Sequence, residues 1–239
     1  MIFKEFGQIN KPTILLIPGE IYSWQAYMPH IKSLEKNYHI LIPKILRKDI
    51  DNNYHFESIS NSSQAILDYL DKHKIGKPFC LIGYSLGAQI ILDLLTKRKD
   101  LATYALIESP FFNNRNNTNK KKNRQLYNKI IKERLDLDPA YPYTNLASPR
   151  QDHKSKKHIL EEITNFKIDP EVSNTNTKIL LINYKDSPEL LKDNSKYLHN
   201  LITKSKLVTI DIERKTGFFI LLHHDRFLNL FLRFVSSFG

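Results

Sequence analysis

The chain has 239 residues, 41% of them hydrophobic, enough for one large domain or two small ones and a sizeable buried core. No apolar run approaches the ~20 residues of a membrane-spanning helix, and the single cysteine, Cys80, excludes an internal disulfide. Lysine and arginine outnumber aspartate and glutamate by 36 to 25, a formal charge of +11. No nucleic-acid-binding motif accompanies that charge, so a solvated basic surface is expected, with an anionic substrate or acidic protein partner as the functional alternative and no nucleic acid. The opening residues, MIFKEFGQINKPT, lack a charged-then-apolar signal sequence, and a cytoplasmic location is the expectation.

In chain order, short apolar runs alternate with amphipathic segments. TILLIPG (Thr13–Gly19) reads as a strand buried on both faces, and YHILIP (Tyr38–Pro43) as a second. Ile59, Ile66, Leu67 and Leu70 mark one face of a helix. PFCLIGYS (Pro78–Ser85) is the third strand, and Cys80 within it reads as a small core residue. A helix over Leu86–Arg98 carries Ile90, Ile91, Leu94 and Leu95 on one side and ends in basic residues, which suit a helix C-terminus. TYALIES (Thr103–Ser109) is the fourth strand.

Residues 110–170 break the alternation. NNRNNTNKKKNR (Asn113–Arg124) is too polar to pack a core and reads as a mobile loop. Two amphipathic helices are expected around Leu126–Leu135 and Ser155–Phe166. DPAYPYTNLASP (Asp138–Pro149) is either a pocket wall or a rigid surface loop. The alternation then resumes with a strand at Thr177–Tyr184, a helix at Pro188–Ile202 and a strand at Lys206–Ile212. A last helix starts near Phe219, with Phe227, Leu230, Phe231 and Phe234 three or four residues apart. The pattern predicts an α/β protein: a mostly parallel, doubly wound sheet formed by residues 1–109 and 171–239, with a helical lid insertion at 110–170.

GYSLG (Gly83–Gly87) lies between a predicted strand and a predicted helix, the context that a G-x-S-x-G nucleophile elbow requires. Such a turn pushes the Ser85 hydroxyl into the cleft, and side chains at 83 or 87 would collide. The Leu86 N–H, at the helix start, then faces negative charge developing on a substrate oxygen. The second donor of such an oxyanion hole belongs in the loop after an early strand. LLIPGEIYSW (Leu15–Trp24) is in that place, and the Glu20 N–H is the candidate. A carboxylate there would repel an oxyanion, so the Glu20 side chain is expected to point away or to recognise a ligand. Trp24 and Tyr84 are candidate pocket residues.

With these motifs the chain resembles the α/β-hydrolase superfamily, especially its small esterase and lipase-like members. ILLIPG, FCLIGYSLGAQI and KILLINYKDSP carry the resemblance along nearly the whole length. It implies a serine hydrolase acting on a carboxylic ester or thioester through an acyl-enzyme, with no cofactor. It also implies that Asp186 orients a catalytic histidine. From the residues alone Asp186 could also cap the next helix, and Glu108, at the end of ALIE, is the runner-up acid.

The resemblance predicts histidine in the loop before the last helix. That loop, ERKTGFF (Glu213–Phe219), has none, and Phe218 follows Gly217. A serine hydroxyl needs a base near neutral pH. His223 or His224 could reach Ser85 through a rearranged helix start, or His153 or His158 could come from the insertion. Otherwise the protein is a non-catalytic binding protein that keeps the elbow and pocket. Adjacent histidines point to different faces, so no metal site is expected. The expected partner is a small-molecule acyl ester or thioester, and the positive charge admits an acidic acyl-carrier protein.

Overall fold

The computed structural model describes residues 1–20, 24–45, 47–48, 54–113, 120–135, 153–211 and 219–237. Nine strands and eight α-helices lie within them. The strands are β1 (Phe3–Phe6), β2 (Thr13–Ile17), β3 (His39–Pro43), β4 (Arg47–Lys48), β5 (Tyr54–His55), β6 (Cys80–Tyr84), β7 (Tyr104–Glu108), β8 (Lys178–Tyr184) and β9 (Ser205–Ile210). The helices are α1 (Met28–Leu34), α2 (Ile59–Lys72), α3 (Leu86–Lys97), α4 (Lys120–Leu135), α5 (His153–Asn165), α6 (Glu189–Leu201), α7 (Phe219–Leu222) and α8 (His224–Ser236).

Seven strands form one sheet in the order β1-β3-β2-β6-β7-β8-β9, parallel throughout apart from β1. All six apolar runs of the sequence are strands of this sheet. β1 is the addition. Its four residues, Phe-Lys-Glu-Phe, are half polar and pair antiparallel with β3 at the sheet's edge, so they give no continuous apolar signal.

Alternate strand residues feed two cores. Leu15, Ile17 and Leu81 face one layer with α2, α3 and α6. Ile14, Leu16 and Ile82 face another with α1 and α8. Phe227, Phe231 and Phe234 bury the inner stripe of α8, each contributing roughly 2–3 kcal/mol relative to exposure. At the start of α2, the Ser58 hydroxyl accepts the Asn61 N–H at 2.9 Å and satisfies an otherwise orphaned donor.

The predicted final helix is two. The chain leaves helical geometry at His223 (φ −116°, ψ 59°), between the single turn of α7 and the longer α8. The two pieces have separate anchors: backbone N–H groups of α7 meet the end of the sheet, whereas the phenylalanine stripe holds α8.

α4 and α5 lie between β7 and β8, pack on each other and are joined by an Arg124–Glu161 ion pair at 2.6 Å. Lys120–Arg124, expected in a mobile loop, form the first turn of α4 instead. The insertion is fixed to the core through Gln89 of α3, whose side-chain amide donates to the carbonyls of Phe111 and Ile163. No described helix is long and apolar enough to cross a membrane.

The chain moves outward from β2 to β3, returns to the other side of β2 as β6, and then proceeds to β9. The C-terminal ends of β2 and β6 therefore flank the point where winding reverses, which is where open α/β sheets leave a crevice for ligands. Glu20 follows β2 and Ser85 follows β6.

Candidate active site

Ser85 links β6 directly to α3 with φ 52° and ψ −119°. A non-glycine residue at positive φ costs on the order of 1–3 kcal/mol and persists only where its surroundings enforce it. Here the enforcement is visible. The Ser85 N–H donates to the Glu108 carbonyl at 3.2 Å, and the Ser85 carbonyl accepts the Gln89 N–H at 3.2 Å as a first helical bond. A Cβ at Gly87 would lie 2.1 Å from the Ile17 carbonyl oxygen, and one at Gly83 would lie 2.8 Å from that of Gly87. Both glycines are needed for the strand, turn and helix to approach this closely. Leu86 is the first residue of α3, so its N–H has no acceptor within the helix. One strand over, Ser109 repeats the conformation after β7, with φ 50° and its N–H donating to the Ile182 carbonyl at 3.2 Å.

The Glu20 side chain turns toward the serine. Ser85 Oγ donates to Glu20 Oε1 at 3.3 Å, and the Tyr127 hydroxyl, from α4, donates to the same oxygen. Glu20 is 8% exposed, and its Oε2 is buried with no hydrogen-bond partner among the described residues. Gly19 allows this entry because the Tyr84 ring fills the space where a Cβ would be, 2.6 Å from Tyr84 Cε2.

Glu108 makes a different arrangement at the end of β7. Fully buried, it accepts the Phe219 N–H at 3.0 Å, the Ile220 N–H at 2.7 Å and the Tyr184 hydroxyl. The carboxylate thus holds the start of α7. Asp186 is exposed in the turn between β8 and α6. The N-cap position of α6 is Pro188, so Asp186 is not the cap that its sequence position also allowed.

Among the described residues, no histidine hydrogen-bonds Ser85. His224 Nε2 hydrogen-bonds Ser33 Oγ at 2.9 Å, and its ring meets that of His30 at 5.0 Å between centroids. His223 stacks on Phe219 at 6.0 Å, and partial burial followed by Arg226 lowers its pKa. His158 Nε2 hydrogen-bonds the Glu57 carbonyl at 2.6 Å. His153 opens α5, and its side chain is outside the described residues, as are Asp138–Pro149 and the 212–218 segment that contains Phe218. Among the described residues, no group of three His, Cys, Asp or Glu side chains is placed to hold a metal ion.

No protein-family profile matches the sequence, and no curated protein sequence does. Solved structures match closely in shape. A protein from Desulfitobacterium hafniense assigned to the α/β-hydrolase family superposes with a TM-score of 0.73 at 13% identity, covering 98% of this chain and 100% of the other. The enol-lactonase of Burkholderia xenovorans LB400 gives 0.71 at 15% identity, covering 98% and 96%. The bromoperoxidase of Bacillus anthracis gives 0.74 at 13%, covering 98% and 94%. The chain has the α/β-hydrolase fold.

In the α/β-hydrolase frame, several sequence candidates have definite places. Ser85, Leu86 and Glu20 meet at the reversal point of the sheet. Tyr84 is wholly buried beneath Gly19, with its ring 6.2 Å from that of Tyr27. Trp24 packs against Phe6 at 5.5 Å, with the Lys4 ammonium 5.5 Å from its ring centroid. Cys80 is buried in β6, where desolvation pushes its thiol pKa up. The sequence reading missed Tyr127 and Tyr184, the tyrosines that donate to the two buried carboxylates. Tyr184 ends an apolar strand and Tyr127 sits in a polar helix, so neither has a local pattern that marks it as a carboxylate partner.

Proposed function

We propose that the protein is a serine hydrolase of carboxylic esters or thioesters, working through an acyl-enzyme on Ser85. The observation that carries this reading is the enforced φ of 52° at Ser85, beside the free end of α3 and at the reversal point of the sheet. In this reading Ser85 Oγ attacks the carbonyl carbon. The Leu86 and Glu20 N–H groups receive the oxyanion, and the insertion carrying Tyr127 acts as the lid. Donors fixed in place before the reaction are the largest usual source of such stabilisation. The enol-lactonase shares the fold, as does the bromoperoxidase, so the reading rests on the site. The basic residues Lys121 and Lys122 on α4 suit an acyl group delivered on an acidic carrier protein.

A second reading, a non-catalytic binding protein, draws on the Ser85 hydroxyl meeting a carboxylate in place of an imidazole. A fluorophosphonate probe separates the two. The hydrolase reading expects stoichiometric labelling that disappears in Ser85→Ala. Wild-type protein left unlabelled while a known esterase is labelled alongside it would favour the binding reading.

A further inference from the structure

We propose that Glu20 is the general base that activates Ser85, in the role the sequence leaves without a histidine. This rests on the hydrolase reading above. Glu20 Oε1 accepts the Ser85 hydroxyl directly, at 3.3 Å, and the Tyr127 hydroxyl bonds the same oxygen and orients the carboxylate. Among the described residues its other oxygen is buried and unpartnered, so the group has spare acceptor capacity in a site shielded from water. His224 and His158 are bonded elsewhere, and among the described residues no imidazole competes for the serine proton.

The position of Glu20 also resolves its apparent conflict with an oxyanion. As a carboxylate beside the oxyanion loop, it opposes negative charge on the substrate. Proton transfer removes that opposition at the moment the charge forms. As Ser85 Oγ bonds to the carbonyl carbon, its proton moves to Glu20 and the carbonyl π pair moves onto oxygen. The carboxyl is then neutral and has become a hydrogen-bond donor beside the new oxyanion. When the intermediate collapses, the bond from carbon to the leaving oxygen or sulfur breaks, and that atom takes the proton from Glu20. Deacylation runs the same path with water. Glu20 accepts a water proton as the water oxygen bonds the acyl carbon, then returns a proton to Ser85 Oγ as it departs.

The test measures fluorophosphonate labelling rates and p-nitrophenyl butyrate turnover on the full chain. Glu20→Gln keeps an acceptor for Ser85 and Tyr127 but cannot take a proton. It is expected to slow both by at least about 100-fold, the lower end of a general base's contribution, with an unchanged urea unfolding midpoint. Added formate is expected to restore part of the turnover of Glu20→Ala, which a merely structural role would not allow. The double variant His223→Gln/His224→Gln is expected to stay within threefold of the parent. If wild type is labelled and Glu20→Gln reacts within threefold of it, Glu20 is not the base and the hydrolase reading stands. Loss of labelling in the histidine pair alone overturns the proposal in the same way. A wild type that is neither labelled nor active removes both.

Discussion

Two buried carboxylates stand at the C-terminal edge of the sheet, and each accepts a tyrosine hydroxyl. Glu108 spends both oxygens on fixed donors, the Tyr184 hydroxyl and the N–H groups that open α7. Glu20 has one oxygen shared between Ser85 and Tyr127 and the other unpartnered. A buried carboxylate with its acceptor sites filled holds backbone in place. One left underfilled is held in place by the rest of the fold and keeps lone pairs open to a further donor. The difference separates the part of the site that shapes it from the part that would react.

The largest expected effect falls on the filled carboxylate. Glu108→Ala leaves the Tyr184 hydroxyl and the Ile220 N–H without this acceptor, at roughly 1–3 kcal/mol each, while the Phe219 N–H keeps the Tyr184 oxygen. Urea unfolding should show about 2–6 kcal/mol lost, and a loss below about 1 kcal/mol would erase the contrast with Glu20.

Acid comes next, through His30. This residue is 1% exposed with both ring nitrogens unpartnered, and burial, followed by the nearby His224, lowers its pKa to about 3. An unfolded histidine titrates near ~6.5. Between those values the unfolded chain binds a proton that the native chain refuses, so stability falls as pH drops. The expected loss from His30 is about 2 kcal/mol between roughly pH 6.5 and pH 5. His30→Leu should flatten that part of the stability curve. Any acid loss of labelling that persists in this variant then belongs to the Ser85 site and not to unfolding. An unchanged curve would show that His30 does not set it.

The smallest effect is at Tyr127. Tyr127→Phe removes one hydroxyl donor from Glu20 and should cost about 1 kcal/mol in urea unfolding, with labelling altered only a few-fold. A fold-wide collapse would mean that α4 depends on this bond far more than a single hydrogen bond allows.

The sheet was readable in the sequence because five of its strands are buried on both faces and spell continuous apolar runs, while the edge strand β9 still carries Leu207, Val208 and Ile210. β1 escaped because an edge strand of four half-polar residues spells nothing. The break at His223 escaped for another reason. The apolar spacing of Phe227, Phe231 and Phe234 is that of one helix, while the anchor that separates α7 is a carboxylate more than a hundred residues earlier in the chain. Ser85 was legible because its constraints are local: a strand, two glycines and a helix start. The orientation of Glu20 was not, because it depends on the ring of Tyr84 filling the space above Gly19 and on a hydroxyl delivered by α4. Neighbours in sequence fix backbone conformation, whereas the direction of a buried side chain is set by partners brought together only in the fold.

The positive φ of Ser85 bears on stability as well as on chemistry. Glycine would sit at position 85 without the steric conflict that serine endures there. Such a replacement would relieve that conflict, but it would remove the Cβ and the hydroxyl together, lose the bond to Glu20 and free the unfolded chain. Position 85 therefore couples backbone strain to the hydroxyl that meets Glu20, so one substitution removes both.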